Sequence, residues 1–243
     1  MLKLNNDKTK LLLVYKNKHK NVLKNFKFHA GRDVITPKSS LKILGFILQN
    51  DLKTDKDIGK LAGQLHNRMN KIRTITKFTN FQTRLKFLNA FVIGKMNYML
   101  PIYSLSDKTN IQKLHKILTT AGRTAIGSYC FKKSVSYILS KCKWLDIESM
   151  IYYSSINIIH KILIQKTPNS IYNLFRNPNN KRSVSEVTPN YIPTTEKYRK
   201  FYIYKYIKQY NELDSYIRLK EVKPFKKEMK EILMYRPVSD TCD

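Results

Sequence analysis

Acidic residues are scarce in this chain. Its 243 residues hold 17 Asp plus Glu against 46 Lys plus Arg, a formal net charge of +29 at pH 7. Cysteine is scarcer still: Cys130, Cys142 and Cys242 are too few and too scattered for a disulfide framework, and no Cys/His pair has zinc-ligand spacing. A disulfide-stapled secreted module is thereby excluded, and a reducing compartment without a structural metal is predicted. Long hydrophobic runs are missing as well. Leu11 to Val14 is the uninterrupted apolar run nearest the N-terminus, and Met150 to Ile164 is broken by Ser154, Ser155, Asn157, His160 and Lys161. Neither a signal peptide nor a membrane span is compatible with that pattern. Catalytic signatures are absent too, with no glycine-rich phosphate loop, no Ser/His/Asp-like cluster and no HExxH. The five histidines (His19, His29, His66, His115, His160) are dispersed and read as surface or nucleic-acid-contacting residues.

What remains is a basic chain that can fold. At 42% hydrophobic it buries a core as one or two domains. Part of the charge has a bland origin: 36 Lys against 10 Arg, with 25 Ile and 20 Asn, is the pattern of AT-rich codon usage. Such a bias adds lysines without placing them. From Ile58 to Leu145, however, 16 Lys plus Arg stand with one carboxylate, Asp107. A stretch of one sign repels itself unless something neutralises it, so this segment points to a polyanion.

Periodicity divides the chain into residues 1–52, 53–166 and 167–243. The first part reads as strands at Lys10 to Tyr15, Asn25 to His29, Arg32 to Thr36 and Leu41 to Leu48, with Gly45 implying close approach by another backbone. The second part has a helical period. Ile58, Leu61, Ala62, Leu65, Met69 and Ile72 line one side of a helix that Thr54 or Asp55 can cap, and Lys60, Gln64, Asn67 and Lys71 lie opposite. A helix over Phe81 to Met99, apolar on two sides, is predicted to end at Pro101. Ser106 can cap a third, with Ile111, Leu114, Leu118, Ala121 and Ala125 inward and Lys113, Lys116 and Arg123 outward. Helices starting at Ser134 and Asp146 follow, then a loop from Thr167 to Pro193. The chain closes on helices near Glu196 to Tyr210 and Phe225 to Leu233. The fold class is therefore mainly α, a helical bundle preceded by a small antiparallel β-hairpin subdomain. Asp51, Asp55 and Asp57 form a local carboxylate cluster of the kind that holds magnesium, but at a strand-to-helix junction capping and the helix dipole account for them.

An ordered set of motifs carries a resemblance. Leu4-Asn5-Asn6-Asp7-Lys8-Thr9 and Leu41 to Phe46, Lys95-Met96-Asn97-Tyr98 with Tyr103, Leu114 to Gly127, Trp144 to Glu148 leading to His160 to Leu163, and Tyr210 to Leu213 with Ile217-Arg218 and Phe225-Lys226 follow one another along the chain. Together they resemble the C-terminal part of a non-LTR, LINE-type, jockey-like retrotransposon reverse transcriptase. Asn6 and Asp146 stand where that family usually has proline.

The resemblance implies the end of a polymerase palm, a primer-grip hairpin around Leu44-Gly45, a helical thumb and a C-terminal extension. It implies that Lys8 lies near the incoming nucleotide and that Leu44, Gly45 and Phe46 hold a primer end. Lys60, Asn67, Lys71, Lys113, Lys116 and Arg123 would track the phosphates of RNA, DNA or an RNA–DNA hybrid. The family's catalytic aspartates would lie before Met1, so no cofactor is expected for this chain, and magnesium would belong to the missing palm. A palm-containing polymerase chain, or a second copy, is the implied protein partner, no membrane is expected, and the family's chromatin target implies the nucleus. The alternative is a scaffold or interaction protein derived from such a fragment.

Overall fold

The computed structural model describes residues 9–14, 26–30, 33–127, 133–176, 187–189 and 202–235. The architecture is mainly helical, with small strand pairs at the N-terminus. There β1 (Leu11–Leu12) runs parallel to β4 (Pro37–Lys38), and β2 (Phe28–Ala30) antiparallel to β3 (Asp33–Ile35). The strand expected over Leu41 to Leu48 is instead a hairpin. In it β5 (Ser40–Ile43) and β6 (Phe46–Gln49) pair antiparallel, Ser40 opposite Gln49 and Ile43 opposite Phe46. Leu44 and Gly45 make the turn with φ values of 49° and 92°, the two positive values that a tight two-residue hairpin turn demands. Gly45 is there for its backbone conformation, since nothing lies within 4 Å of a Cβ built on it. A later pair, β7 (Phe175–Arg176) with β8 (Thr188–Pro189), is also antiparallel.

Helix α1 (Asp55–Ile75) buries Ile58, Leu61, Leu65, Met69 and Ile72 along one stripe, as its period requires. Thr54 occupies its N-cap, but the hydroxyl is spent elsewhere, 2.6 Å from Ser106 Oγ. Ser106 accordingly caps nothing, and Asp107 is the N-cap of α5. After a 3₁₀ turn (Thr76–Phe78), the helix predicted over Phe81 to Met99 is interrupted. It consists of α2 (Phe81–Leu88), a π turn (Asn89–Ile93) and α3 (Gly94–Asn97). Trp144 donates its indole N–H to Asn89 Oδ1 at 2.8 Å, and Arg68 donates to the Phe91 carbonyl at 2.7 Å, so the groups around the wide turn have partners. Pro101 does not stop a helix. It sits in the first turn of α4 (Leu100–Tyr103), where its missing N–H costs nothing.

Helix α5 (Lys108–Ile126) packs against α1, and α6 (Val135–Cys142) packs back on α5. Ser134 and Asp146 accept from the N–H groups of Tyr137 and Ser149, capping α6 and α7 (Ile147–Gln165) as expected. Gly122 marks the α5–α6 crossing, where an added Cβ would overlap Ile138 Cγ2. Gly122→Ala is therefore expected to cost about 1–3 kcal/mol. Gly63→Ala, with open space around it, should instead gain up to ~1 kcal/mol. Urea unfolding of both variants checks the contrast, and equal signs would refute the packing at Gly122.

Helix α7 is central, meeting α4 and α5 on one side and α9 (Tyr202–Asn211) and α11 (Val222–Tyr235) on the other. Short helices α8 (Asn169–Tyr172) and α10 (Ser215–Arg218) fill the connections. One hydrophobic cluster runs continuously from Phe46 to Leu233. His160 pins the C-terminal helices to α7. Fully buried, it stacks on Phe225 with centroids 3.7 Å apart, and its two nitrogens lie 3.0 Å from Tyr210 Oη and from the Lys220 carbonyl. A carbonyl only accepts, so Nε2 carries the proton and Nδ1 accepts from the Tyr210 hydroxyl. His160 is thus a core residue and not the surface histidine that the sequence implied. Its position was not legible because its partners lie 50 and 60 residues away.

Burial lowers the His160 pKa to about 4 against an opposing hydrogen bond to the Lys220 carbonyl, and raises that of Tyr210 to about 12 against the charge of Arg218. With the folded value of His160 below the unfolded one, its neutral form contributes fully above pH 6.5. That contribution is lost as pH falls from 6.5 toward 4, by about 2–3 kcal/mol in all. Urea midpoints at pH 7.5 and 4.5 should separate more for the native chain than for His160→Gln. Equal separations would contradict the assignment.

Candidate nucleic-acid interface

Helices α1 and α5 lie side by side and parallel. At their N-terminal ends Asn110 Nδ2 donates to Asp55 Oδ1, and at their C-terminal ends Arg73 Nε donates to Thr124 Oγ1 at 3.3 Å. The sequence brings them together because each carries one apolar stripe, and what is left outward is basic or polar. Lys60, Asn67 and Lys71 on α1 are exposed, as are Lys113 and Lys116 on α5. Lys113 stands at the seam, since its Nζ donates to Asn110 Oδ1 at 3.2 Å and Asn110 in turn holds α1. Arg123 is half-buried, with its Nε enclosed and lacking a hydrogen-bond partner.

Arginines that sequence reasoning missed gather near the end of α5. The Nε of Arg84 on α2 is likewise enclosed without a partner, and its Nη1 lies 3.5 Å from where a Gly127 Cβ would be. Arg73 spans α1 to α5. Cations near a helix C-terminus complement its dipole. The acid-poor composition of this stretch was the available signal, but neighbourhood across three helices is not written in any local pattern.

Neutralisation by carboxylates is almost absent. Among the described residues the one ion pair joins Lys220 to Glu228, on the far C-terminal element. Among the described residues no carboxylate pairs with the lysines of α1 and α5.

The acidic cluster is fully employed in structure. Asp51 accepts from the Lys53 N–H and the Gln49 amide, Asp55 from Asn110, and Asp57 from the Ile47 N–H at 2.9 Å and the Tyr103 hydroxyl at 2.6 Å. Burial, then the Asp57 hydrogen bond and charge, raise the Tyr103 pKa. Among the described residues no group of three or more His, Cys, Asp or Glu could hold a metal. No described helix is long and apolar enough to cross a membrane.

The hairpin residues separate. Leu44 projects from the tip, 83% exposed, with its carbonyl accepting from Tyr98 Oη at 3.1 Å, while Gly45 shapes the turn. Phe46 faces the core, its ring centroid 6.5 Å from that of Tyr103, so its side chain supports the hairpin from below. Lys8 lies outside the described residues. Set against known proteins, the chain matches no family model, no curated protein and no solved structure.

Proposed function

We propose that this chain binds nucleic-acid duplex, whether DNA, RNA or a hybrid, along the outer faces of α1 and α5, as the thumb and primer-grip portion of a retrotransposon-type RNA-directed DNA polymerase. The observation that carries the binding is the pair of parallel helices with exposed Lys60, Lys71, Lys113 and Lys116 and, among the described residues, no carboxylate paired to them. Contacts of lysine to phosphate position a duplex without reading its sequence. The polymerase assignment rests on the motif resemblance, and within it the work of these residues is to hold a duplex while a palm acts. The expected partner is a palm-containing polymerase chain, and the expected compartment is the nucleus.

A second reading, a scaffold or interaction protein, is favoured by one observation. Val14, Phe28, Val34, Ile43 and Leu44, on the N-terminal strands and the segments that join them, are exposed, and a partner or a second copy would cover them. Mass measurement combined with a shift assay on DNA, RNA and hybrid duplexes separates the two. Duplex binding by the monomer supports the first reading, and assembly without binding supports the second.

A further inference from the structure

An aromatic row lies on elements other than those that carry the lysines, and it meets α1 where Arg68 donates to the Phe91 carbonyl. Phe87 and Phe91 are spaced i, i+4 across α2 and the π turn and lie side by side, and Tyr98 follows at the end of the helical turn after it. Phe87 and Phe91 stack with centroids 6.3 Å apart and planes 20° from parallel. Phe91 is 51% exposed and Tyr98 58% exposed, so half of each side chain faces water. The Tyr98 hydroxyl holds the Leu44 carbonyl, and exposed Leu44 continues the row onto the hairpin tip.

The row is built and held. The π turn places Phe91 outward while Leu88, Val92 and Met96 are fully buried, and Arg68 fixes the Phe91 carbonyl at 2.7 Å. Lys95 Nζ lies 5.8 Å from the Tyr98 ring centroid. No Asp or Glu occurs between Ile58 and Ser106, so the cations beside these rings have no acid beside them in sequence. A second copy would set a net charge of +29 against the same charge. Interleaved cations and outward rings match instead a strand that offers phosphates and unpaired bases. The seven steps from Phe91 to Tyr98 rise about 10 Å, the length of roughly three nucleotides at 3.4 Å each.

We propose that Phe91 and Tyr98, backed by Phe87 and continued by Leu44, form a stacking track for an unpaired nucleic-acid strand. The proposal rests on the nucleic-acid reading above and adds to it a second substrate class, single strand, at a second place. Aromatic stacking tolerates any base, so the track serves a strand of any sequence.

Labelled dT12 and a 12-base-pair duplex, titrated against the full chain over a range of salt, test it. Phe91→Ala and Tyr98→Ala should each weaken dT12 binding about 5- to 100-fold. Duplex affinity should stay within about twofold and the salt slope should not change, because a stacked ring releases no counterion. Tyr98→Phe keeps the ring and should bind dT12 as the native chain does. Unchanged dT12 affinity in the double alanine variant overturns the track while leaving duplex binding by the lysine faces intact. Equal loss on dT12 and duplex, or loss in Tyr98→Phe, overturns it as well. A change in oligomeric mass without loss of dT12 binding would make the row a protein interface, and the proposal would fail.

Discussion

Replacing Lys60, Lys71, Lys113 and Lys116 together by glutamine is expected to lower duplex affinity about a thousandfold at 0.1 M salt, because each phosphate contact releases about 0.9 of a condensed counterion. The slope of log K against log salt should flatten by roughly three to four units for the same reason. Stability should stay within about 0.5 kcal/mol, as exposed side chains without special partners allow. All four lysines are exposed and none is ion-paired among the described residues, and glutamine keeps a donor for the Asn110 oxygen that Lys113 now bonds. A fluorescence anisotropy titration at several salt concentrations, with urea unfolding alongside, reads both quantities. Loss of affinity with an unaltered slope would mean that these lysines do not meet phosphates.

The largest stability effect is expected at Asp57, which joins three elements. Its carboxylate, in the first turn of α1, accepts from β6 through the Ile47 N–H and from α4 through the Tyr103 hydroxyl. Both donors sit at a site where Asp57 is 6% and Tyr103 2% exposed. Asp57→Ala leaves two donors unpaired and should cost about 2–5 kcal/mol. Asp57→Asn is the informative control. Its amide oxygen still serves Ile47, and the tyrosine hydroxyl can turn to accept from the amide nitrogen, so the cost should fall to roughly 1–2 kcal/mol. Urea unfolding ranks the three proteins. An alanine variant as stable as the asparagine variant would show that the carboxylate does not anchor the hairpin to the bundle.

Local patterns in this chain were legible where one element decides the outcome. The stripe from Ile58 to Ile72 buries as its period requires, and Ser134 and Asp146 cap because a hydroxyl or carboxylate there meets N–H groups of its own helix. Long-range partners were not legible. Ser106 is a good capping residue by type, yet its hydroxyl meets Thr54, 52 positions earlier. His160 looks like any histidine on a helix until Tyr210, Lys220 and Phe225 close around it. The π turn leaves the same composition as an α-helical turn, and the groups that hold it, Trp144 and Arg68, lie on other elements.

The lysine faces were legible for a related reason. Lys60 and Lys71 follow from the buried stripe of α1 by elimination, and so do Lys113 and Lys116 on α5. That the two helices run side by side and parallel required Asp55, Asn110, Arg73 and Thr124 to be seen in place. Arg123, predicted outward with the lysines, is partly drawn in because its Nε is enclosed.

Placement of charge, as opposed to its amount, is what the proposed binding depends on, and an exchange of equal charge isolates it. Lys60, Lys71, Lys113 and Lys116 replaced by glutamine are compared with Lys220, Lys223, Lys226 and Lys227 replaced in the same way. The second set lies among Glu221, Glu228 and Glu231, and Lys220 is paired to Glu228, so its charges are partly spent within the chain. Salt-dependent titration of one duplex against both variants should show the first set losing most of its affinity and slope and the second retaining most of both. Equal losses from the two sets would mean that binding follows net charge alone, and the interface on α1 and α5 would be wrong.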